Sequence, residues 1–401
     1  MSGSAISALI SSLLTLSSAS AGATEYVITP LNDWPDGTTN SAAHDVSPDG
    51  TVVGCGLVPH PNGAASHAVR GGADSAWTDL HPIDGGTSCA VAIDADGRVA
   101  VRVSDALGNR VWVVSDDRTL QLPSANQDAL PMAFIAPDVL AGTITLSADE
   151  PRAVVWASQS LTWLDHPAAL AWSIPFGGDT DALIVGAARP AAHCCSLPAA
   201  WIDGVFTWLP VLPSAVDGEA TAASGSIIVG TIWDPEVNQP VAVRWVERDA
   251  RWSVEALPTL DARSSALAVN ASGVIVGQSG CTGHCGRAVR WDSVNGVVDL
   301  QTRLPASSPW ILERAVAIND SGQIAVTGID AFGERNAGLL TPLSACPHDL
   351  DENGDIGLGD LVRVLADWGT CLSCSADFNG SADVGVDDLL FVLSRWGPCA
   401  P

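Results

Sequence analysis

The sequence predicts an all-β protein built as a seven-bladed β-propeller, followed by a small α-helical calcium-binding region at the C terminus. Three observations lead to this prediction. A phrase of small, apolar and turn residues recurs seven times between residues 24 and 344. Apolar segments that end in tryptophan recur with a period of about 45 residues. From Cys346 onward the composition changes, and a second, shorter repeat begins.

The first repeat consists of an apolar segment, a polar turn and a second apolar segment. Asp-Gly or Ser-Gly pairs between two apolar runs are typical of β-hairpins, so each copy predicts two antiparallel strands. The clear copies are Ala43–Gly54, Ala90–Val101, Ala266–Gly277 and Ala315–Val326, and weaker copies end at Gly142, Gly186 and Gly230.

Two more short strands complete each unit. The third strand often ends in tryptophan, and we interpret these tryptophans as blade-core packing rather than sugar platforms. One such sheet cannot bury both of its faces alone, so seven units are expected to close into a ring, with a β-solenoid or two-sheet sandwich as the alternative. The tryptophans are Trp156, Trp201, Trp245 and Trp291, and clear fourth strands are Trp77–Ile83, Leu161–Pro167, Phe206–Leu212 and Val297–Leu304.

The seventh unit lacks its own outer strand. It ends at Ala337–Leu343, whereas a spare segment, Glu25–Leu31, precedes the first repeat. That segment resembles Val297–Leu304 in character and in its distance from the next repeat. We therefore expect Glu25–Leu31 to pair into the last blade and remove an exposed edge.

Composition indicates an extracellular protein that does not bind nucleic acid. The chain has 45 acidic residues and 18 basic residues, all of them arginine, and a net charge of -27. Nucleic-acid phosphates would be repelled by that charge. Residues 1–23 read as a secretory signal peptide, because an apolar segment is followed by a small-residue cleavage site at residues 19–21. No other stretch reaches the length of a membrane span.

Ten cysteines fit an oxidising compartment and disulfide bonds. We expect Cys55 and Cys89 to join the first two blades, and Cys281 to pair with Cys285. His193-Cys194-Cys195 and Cys281-x-x-His284-Cys285 also carry ligand types that zinc prefers. We favour loop disulfides over zinc at these positions.

The C-terminal segment superimposes on itself at an offset of 28 residues, as the matching of Cys346 with Cys374 and of Trp368 with Trp396 illustrates. Each half contains a calcium-loop pattern and then a short apolar helix. A hard cation needs several oxygen ligands from one short loop, at alternating positions and at a final carboxylate. The candidate ligands are Asp349, Asp351, Asn353, Asp355 and Asp360 in the first loop, and Asp377, Asn379, Ser381, Asp383 and Asp388 in the second.

The two loops differ in the predicted strength of calcium binding. The first loop has Gly354 where the chain must turn sharply, whereas the second has Ala382 there. A left-handed conformation at a residue other than glycine costs about 1–2 kcal/mol. We therefore expect one strong calcium site and one weaker site.

The propeller region resembles the extracellular HAF repeat family. The resemblance is carried by Ala315–Val326, by Ser66–Gly71 and Gly286–Trp291, and by Thr78–Leu80 and Val298–Leu300. It covers roughly residues 24–344, although the third to fifth units are degenerate. The resemblance implies a fold and an extracellular location, and it implies no particular chemistry.

Residues 345–401 resemble a GC-type, type I dockerin domain, a pair of F-hand-like (EF-hand-related) calcium loop–helix units. At position 9 of the two loops, Gly357 and Gly385 replace the Asn or Asp of the cellulosomal pattern. The positions that recognise cohesin in this family, 10 and 11, are Leu358-Gly359 and Val386-Asp387. The resemblance implies a cohesin-like or cell-surface partner. The cysteines at the repeat boundaries suggest the bonds Cys346–Cys371 and Cys374–Cys399, with the crossed pairing as the alternative.

Several well-known catalytic motifs are missing from the sequence, whereas carboxylates that could pair for glycoside hydrolase or lyase chemistry are too numerous to be informative. A sialidase-type site needs a tyrosine nucleophile inside the ring, and the sole tyrosine, Tyr26, lies in the expected outer strand. No nucleophile elbow, P-loop or zinc-protease helix occurs. Two functions are therefore weighed. One is a secreted interaction or surface protein attached through its calcium-binding tail, with an extracellular glycan or protein as the ligand of the propeller. The other is a divergent polysaccharide-degrading glycoside hydrolase or lyase carried by the same tail.

Overall fold

The structure is a computed structural model. Tyr26–Thr341 forms one compact unit, and the described residues from Pro342 onward belong to a second. The described residues are 26–31, 40–60, 63–72, 75–124, 127–146, 150–180, 183–236, 238–249, 251–261, 263–280, 286–293, 296–343, 348–350, 355–370, 376–378 and 383–398.

The first unit is a seven-bladed β-propeller, as the sequence predicts. It contains seven four-stranded antiparallel sheets, blades 1 to 7, and blades 1 to 6 each pair their strands in chain order. The strands are, in blade 1, Ser41–Val46, Val52–His60, Gly63–Gly72 and Ser75–Asp79; in blade 2, Thr87–Ile93, Val99–Asp105, Gly108–Val114 and Thr119–Gln121; in blade 3, Asp128–Ala136, Val139–Thr145, Pro151–Ala157 and Ser160–Trp163; in blade 4, Leu170–Thr180, Leu183–Pro190, Leu197–Ile202 and Val205–Trp208; in blade 5, Asp217–Ser224, Ile227–Asp234, Gln239–Arg248 and Arg251–Ala256; in blade 6, Ser264–Val269, Ile275–Gly280, Gly286–Asp292 and Gly296–Asp299; in blade 7, Ile311–Ile318, Ile324–Ile329, Arg335–Pro342 and Tyr26–Pro30.

The N-terminal strand closes the ring. Tyr26–Pro30 is hydrogen-bonded to Arg335–Pro342 as the outer strand of blade 7, which confirms the predicted pairing. The Tyr26 side chain is 1% exposed, and its hydroxyl accepts a hydrogen bond from the Arg290 guanidinium of blade 6 at 3.0 Å. The first and last parts of the propeller chain thus share one sheet, which removes the open edge of the last blade.

The repeated phrase has a structural cause in a β-bulge. The first strand of every blade shifts register against the second at one shared position, as at His44 between Ala43 and Asp45, and blades 3, 4 and 7 have further shifts. In five blades the residue facing the bulge is glycine, where an added Cβ would lie 1.9–2.3 Å from a backbone carbonyl oxygen. A side chain there would collide with the first strand. Blades 2 and 7 carry the buried residues Val101 and Val326 at this position.

In blades 1 and 6 the outer strand ends at the aspartate of an Asp-Leu pair, earlier than the sequence predicts. In blade 6 the strand stops at Asp299, and a 3-10 helix covers Leu300–Arg303. The Asp299 carboxylate accepts the Gln301 N–H at 3.0 Å, a local bond that competes with the strand ladder. Asp79 accepts the N–H of His81 in the same way in blade 1. The predicted strands Val297–Leu304 and Trp77–Ile83 are therefore too long.

Serine side chains connect neighbouring blades. The Ser264 hydroxyl of blade 6 accepts the backbone N–H of Ala242 in blade 5 at 2.9 Å. The same bond, with distances of 2.9–3.2 Å, joins three other pairs of blades. Between blades 4 and 5 the donor position is Pro198, which has no N–H, and the acceptor position is Gly218. The further pairs are Ser41 with Ala337, Ser88 with Ala68, and Ser173 with Ala153.

The tryptophans that end the third strands pack in the blade core, which confirms that interpretation. All four are at most 3% exposed. Each indole N–H donates to a carbonyl in the connection that leads from the preceding blade, so the buried polar atom is satisfied. The bonds run from Trp156 to Pro123, from Trp201 to Asp165, from Trp245 to Pro210 and from Trp291 to Pro258, at 2.6–2.8 Å.

The C-terminal unit repeats a loop–helix arrangement twice. Its helices are Leu358–Ala366 and Val386–Ser394. The two halves exchange short strands, because each half pairs its loop strand with the strand that ends the other half. A small core of Ile356, Ala376, Val364, Val384 and Val392 lies between them. The strand pairs are Asp355–Ile356 with Gly397–Pro398, and Gly369–Thr370 with Asp383–Val384.

Each helix also exposes an apolar stripe. In the first helix Leu361 and Val364 contact the core, whereas Val362 and Leu365 are 57% and 53% exposed. Only part of the apolar run at residues 361–365 therefore packs against the partner half. Stripe 1 consists of Leu358, Val362, Leu365 and Trp368, and stripe 2 of Val386, Leu390, Leu393 and Trp396. Among the described residues no helix is both long and apolar enough to span a membrane.

We expect Ser264→Ala to lower the free energy of unfolding by about 1–3 kcal/mol, because the buried Ala242 N–H loses its acceptor. Urea denaturation followed by tryptophan fluorescence measures the change. The adjacent Ser265→Ala is the matched control, expected to stay within about 0.5 kcal/mol of the parent protein. Equal losses in the two variants would contradict a stabilising role for the interblade hydrogen bond.

Candidate functional sites

Two buried carboxylates organise the predicted calcium loops. Asp360 is fully buried and accepts the N–H groups of Leu350 and Gly357, the second and ninth residues of its loop. Asp388 is 1% exposed and accepts the N–H groups at the same two positions of the second loop, both at 2.9 Å. Each final carboxylate thus holds the start of its loop against the start of its helix.

The remaining predicted ligands are described only in part. Asp349 and Asp377 are partly buried at the first positions of the loops, and Asp383 is exposed. The backbone of Asp355 lies in a short strand. Asp351, Asn353, Asn379 and Ser381 lie outside the described residues, as do Cys346, Cys371, Cys374 and Cys399 of the predicted disulfides.

The carboxylate oxygens of the described loop residues are ligands of the kind that calcium binds. Calcium takes six to eight oxygen ligands from flexible loops, and it accepts carboxylates and backbone carbonyls alike. An ionised carboxylate has about four acceptor sites, so Asp360 can bind a cation as well as two N–H groups. Asp349 and Asp360 would supply first-loop ligands, and Asp377, Asp383 and Asp388 would supply second-loop ligands.

A disulfide joins blades 1 and 2. Cys55 in the second strand of blade 1 is bonded to Cys89 in the first strand of blade 2, as predicted. The His44 ring lies beside this bond, with Nδ1 at 3.5 Å from the Cys89 sulfur and at 3.0 Å from the Ala90 carbonyl oxygen. Burial lowers the pKa of His44, so the ring is neutral at pH 7. The disulfide is therefore a covalent clamp between the two blades, with the His44 side chain at its exposed side.

Asp45, which follows His44 in the first strand of blade 1, is the one acidic residue at its position of the repeat. The six equivalent positions of the other blades hold alanine or glycine. Its carboxylate accepts the N–H of Val46 at 2.8 Å and that of Ile93 in blade 2 at 3.0 Å. Burial raises the pKa of Asp45 to about 6, although both N–H groups oppose the shift. Aligning the repeats would have singled out this residue, and the sequence analysis missed it.

Two His–Ser pairs have the distances of a catalytic dyad. His81 Nδ1 is 2.7 Å from Ser88 Oγ, and His166 Nδ1 is 3.0 Å from Ser173 Oγ. Both serines are at most 3% exposed, and both accept an N–H from the preceding blade. A nucleophile must reach its substrate, and the same pair recurs in two blades, so these pairs support interblade contacts. The sequence analysis did not identify them.

The first strand of each blade lines the central channel of the propeller. We define the channel layer as the seven residues, one from each first strand, that lie two positions before the bulged residue; one of them is acidic. Glu219 of blade 5 is partly buried there, and Arg314 occupies the equivalent position of blade 7. Burial raises the pKa of Glu219, the nearby Asp217 adds to the rise, and Arg314 opposes it. The seven residues of this layer are Ala42, Cys89, Leu130, Ile174, Glu219, Ser265 and Arg314.

Two tryptophans differ from the buried set. Trp163 and Trp208 end the fourth strands of blades 3 and 4, at equivalent positions, and are 44% and 40% exposed. The Phe206 ring meets Trp208 edge-on at 4.9 Å. Exposed rings of this kind can stack on a ligand.

Two further cysteines are free thiols. Cys194 and Cys195 lie between the second and third strands of blade 4, and their sulfurs are 2.7 Å apart. The His193 ring is close to both. Cys281, His284 and Cys285 lie outside the described residues, so the predicted Cys281–Cys285 bond and the zinc alternative stay predictions.

Comparison with solved structures supports the fold. The chain is similar to the β-propeller domain of the Trilobed protease from Pyrococcus furiosus, which has an open velcro topology (TM-score 0.51, 10% identity, 76% of this chain and 94% of that chain). It is also similar to an acylaminoacyl peptidase from Pyrococcus horikoshii (TM-score 0.51, 10% identity, 76% of this chain and 51% of that chain). At these identities the likeness shows a β-propeller only.

Sequence comparisons add no family. No family model matches the chain, and no curated protein matches it. Function therefore has to be argued from the residues themselves.

We expect Asp45 to make the propeller less stable as pH rises. Its pKa in the folded protein, about 6, exceeds the ordinary value of 3.8, so the native state binds the proton more tightly. The stabilisation is complete below pH 4 and is lost as pH rises through 6. Since one pKa unit corresponds to about 1.4 kcal/mol, the loss is on the order of 1–3 kcal/mol.

Asp45→Asn should remove this part of the slope when the free energy of unfolding is measured by urea titration from pH 4 to pH 8. The exposed turn residue Asp203 provides the control variant, Asp203→Asn, which should keep the slope of the parent protein. An unchanged slope in Asp45→Asn would refute the assignment.

Proposed function

We propose that this chain is a secreted, non-catalytic interaction protein, whose propeller is attached to a partner through a calcium-binding, dockerin-like tail. The observation that carries the proposal is the duplicated C-terminal unit. Asp360 and Asp388 occupy the same position in two loops, are both buried, and make the same pair of backbone hydrogen bonds. Two loops built around a final carboxylate are what a calcium-organised helix pair requires.

The two exposed stripes support attachment as the task of this unit. A short helix that is apolar on its inner and outer faces has more apolar surface than its own core can bury. Stripes 1 and 2 match residue for residue at the repeat offset, so the unit offers two similar faces. Exposed apolar rows rimmed by polar residues mark sites of protein interaction. We propose a cohesin-like or cell-surface protein as the partner.

We propose an extracellular location, which the cysteines and the proposed signal peptide support. The Cys55–Cys89 bond requires a compartment in which disulfides persist. Residues 1–23, which carry the proposed signal peptide, lie outside the described residues. The HAF-like repeats support the same location.

Non-catalytic binding is favoured over polysaccharide cleavage by the channel layer. Glycoside hydrolysis generally uses two carboxyl groups that flank the scissile bond. This layer holds Glu219, and the nearby Asp217 carboxylate already accepts the Ser196 hydroxyl and the Gly218 N–H. The exposed Trp163 and Trp208 favour a glycan as the propeller's ligand. Turnover of any polysaccharide in a substrate panel would contradict the non-catalytic assignment and support the divergent enzyme.

Calcium binding is tested by isothermal titration calorimetry of the full chain. The protein freed of calcium by chelation should take up two ions, one of them more weakly. Asp360→Asn should abolish the stronger binding, because the carboxylate loses charge and one acceptor oxygen, whereas Asp388→Asn should abolish the weaker one. Exposed Asp367, which follows the first helix, provides the control variant Asp367→Asn. Absence of calcium binding by the parent protein would remove the basis of the proposal.

The partner surface is tested separately. We expect the double variant Val362→Gln, Leu390→Gln to bind calcium like the parent protein, and to lose at least tenfold in affinity for a type I cohesin module. Surface plasmon resonance, with and without a calcium chelator, measures this binding. Exchanges at the exposed residues Arg363 and Asp367, which lie outside the stripes, serve as controls (Arg363→Gln and Asp367→Asn). If the double variant binds undiminished, the stripes are not the interface; if the parent protein does not bind, the cohesin-like partner is wrong.

A further inference from the structure

The Cys194–Cys195 pair lies on an exposed loop of blade 4. Their sulfurs are 2.7 Å apart, closer than the van der Waals contact of two thiols but longer than the disulfide bond of about 2.05 Å. Cys194 is exposed and Cys195 is partly exposed, and both are free. Two thiols that are adjacent in sequence and in space can react with one ligand together.

The loop that carries the pair is tied at both ends. At its start, the Ala191 N–H donates to the Ala169 carbonyl at 2.8 Å. At its end, the Ser196 hydroxyl donates to the Asp217 carboxylate of blade 5, and the Ser196 carbonyl accepts the Gly218 N–H at 3.0 Å. The loop is therefore fixed across the joint between blades 4 and 5, and the two sulfurs stay close together.

We propose that Cys194 and Cys195 form a vicinal dithiol that closes reversibly to a disulfide by exchange with small-molecule disulfides. One thiolate attacks a sulfur of the external disulfide and forms a mixed disulfide, while the first external thiolate leaves and takes up a proton. The second thiol loses its proton and attacks the protein sulfur of that mixed disulfide, which expels the second external thiol. One external disulfide is reduced to two thiols for each Cys194–Cys195 disulfide that forms, and this bond closes a ring between the two neighbouring residues.

The order of the two steps follows first from exposure, because the exposed Cys194 reaches an external disulfide more readily than the partly exposed Cys195. The contact between the sulfurs acts in the same direction. The pKa of Cys195 is raised to about 11, first by its hydrogen bond with Cys194, then by burial and by the charges of Cys194 and Asp217. Cys195 therefore keeps its proton while Cys194 attacks. Once Cys194 is in the mixed disulfide, that hydrogen bond and its charge are gone, and the pKa of Cys195 falls toward its ordinary value of 9.0. Cys195 then becomes the attacking thiolate.

The Cys55–Cys89 bond provides an internal contrast. Cys89 is 3% exposed, so a small-molecule thiol reaches that disulfide poorly. When both disulfides are present, mild reduction of the folded protein should therefore open the Cys194–Cys195 bond before the Cys55–Cys89 bond.

The experiment uses the full chain and a single proteolytic fragment. The folded protein is reduced with dithiothreitol, freed of reductant, exposed to oxidised glutathione, and then alkylated with iodoacetamide. Trypsin releases residues 153–244 as one fragment, because Arg189 precedes proline and the chain has no lysine. Cys194 and Cys195 are the only cysteines in that fragment, so its mass reports on them alone.

We expect the reduced fragment to carry two alkyl groups. After oxidation it should carry neither an alkyl group nor glutathione, and be two hydrogens lighter than the dithiol. Cys195→Ser should retain one glutathione on Cys194, because no second thiol can expel it. Cys194→Ser should likewise form no ring.

Three outcomes would overturn the proposal. They are two alkyl groups after oxidation, a stable glutathione adduct in the parent protein, and a cross-link from this fragment to another part of the chain. Phenylarsine oxide gives an independent readout, because it binds two thiols with loss of water. The reduced parent protein should bind it at this fragment, and the oxidised protein and both serine variants should not; equal binding by the variants would also refute the pair.

Discussion

The propeller depends on one constraint, which is that a four-stranded sheet with two apolar faces is stable only between two neighbours. Every blade here buries alanine and valine side chains, and the core clusters extend from one blade to the next. The ring must therefore close. Tyr26 lies in the strand that completes the last blade, where it is packed in the core and hydrogen-bonded to Arg290 of blade 6.

Directional bonds specify how the blades meet. Hydrophobic burial has no direction, whereas a serine hydroxyl that accepts an N–H from the preceding blade sets one register between two sheets. Serine is replaced at three joints, by Ala129 between blades 2 and 3, by Gly218 between blades 4 and 5, and by Glu313 between blades 6 and 7. Between blades 4 and 5, Pro198 also has no N–H to donate. That joint is instead crossed by the loop that ends in Ser196 and carries Cys194 and Cys195. The most distinctive chemistry of the ring thus lies where the repeat is broken, as does Asp45 among alanines and glycines.

The C-terminal unit also depends on pairing between repeats, although each of its repeats is much smaller than a propeller blade. Each half is too small to hold a core, so the halves exchange short strands and share Val364 and Val392 between the helices. Asp360 and Asp388 hold each loop to its helix through backbone N–H groups. The remaining apolar side chains form the two outer stripes, which stay exposed.

Periodicity alone determined the fold, the closing strand and the core role of Trp156, Trp201, Trp245 and Trp291, because these depend on a pattern repeated along the chain. The Cys55–Cys89 bond was also predictable, since it joins adjacent repeats. Only the tertiary structure decided the features that depend on contacts between blades. The serine bonds and the hydrogen bond from Ile93 of blade 2 to the partly buried Asp45 carboxylate are of this kind. The 2.7 Å approach of the Cys194 and Cys195 sulfurs depends on the conformation of a single loop, which the sequence pattern did not show either. A local pattern shows which residues recur, but packing between distant segments determines their hydrogen bonds, exposure and pKa.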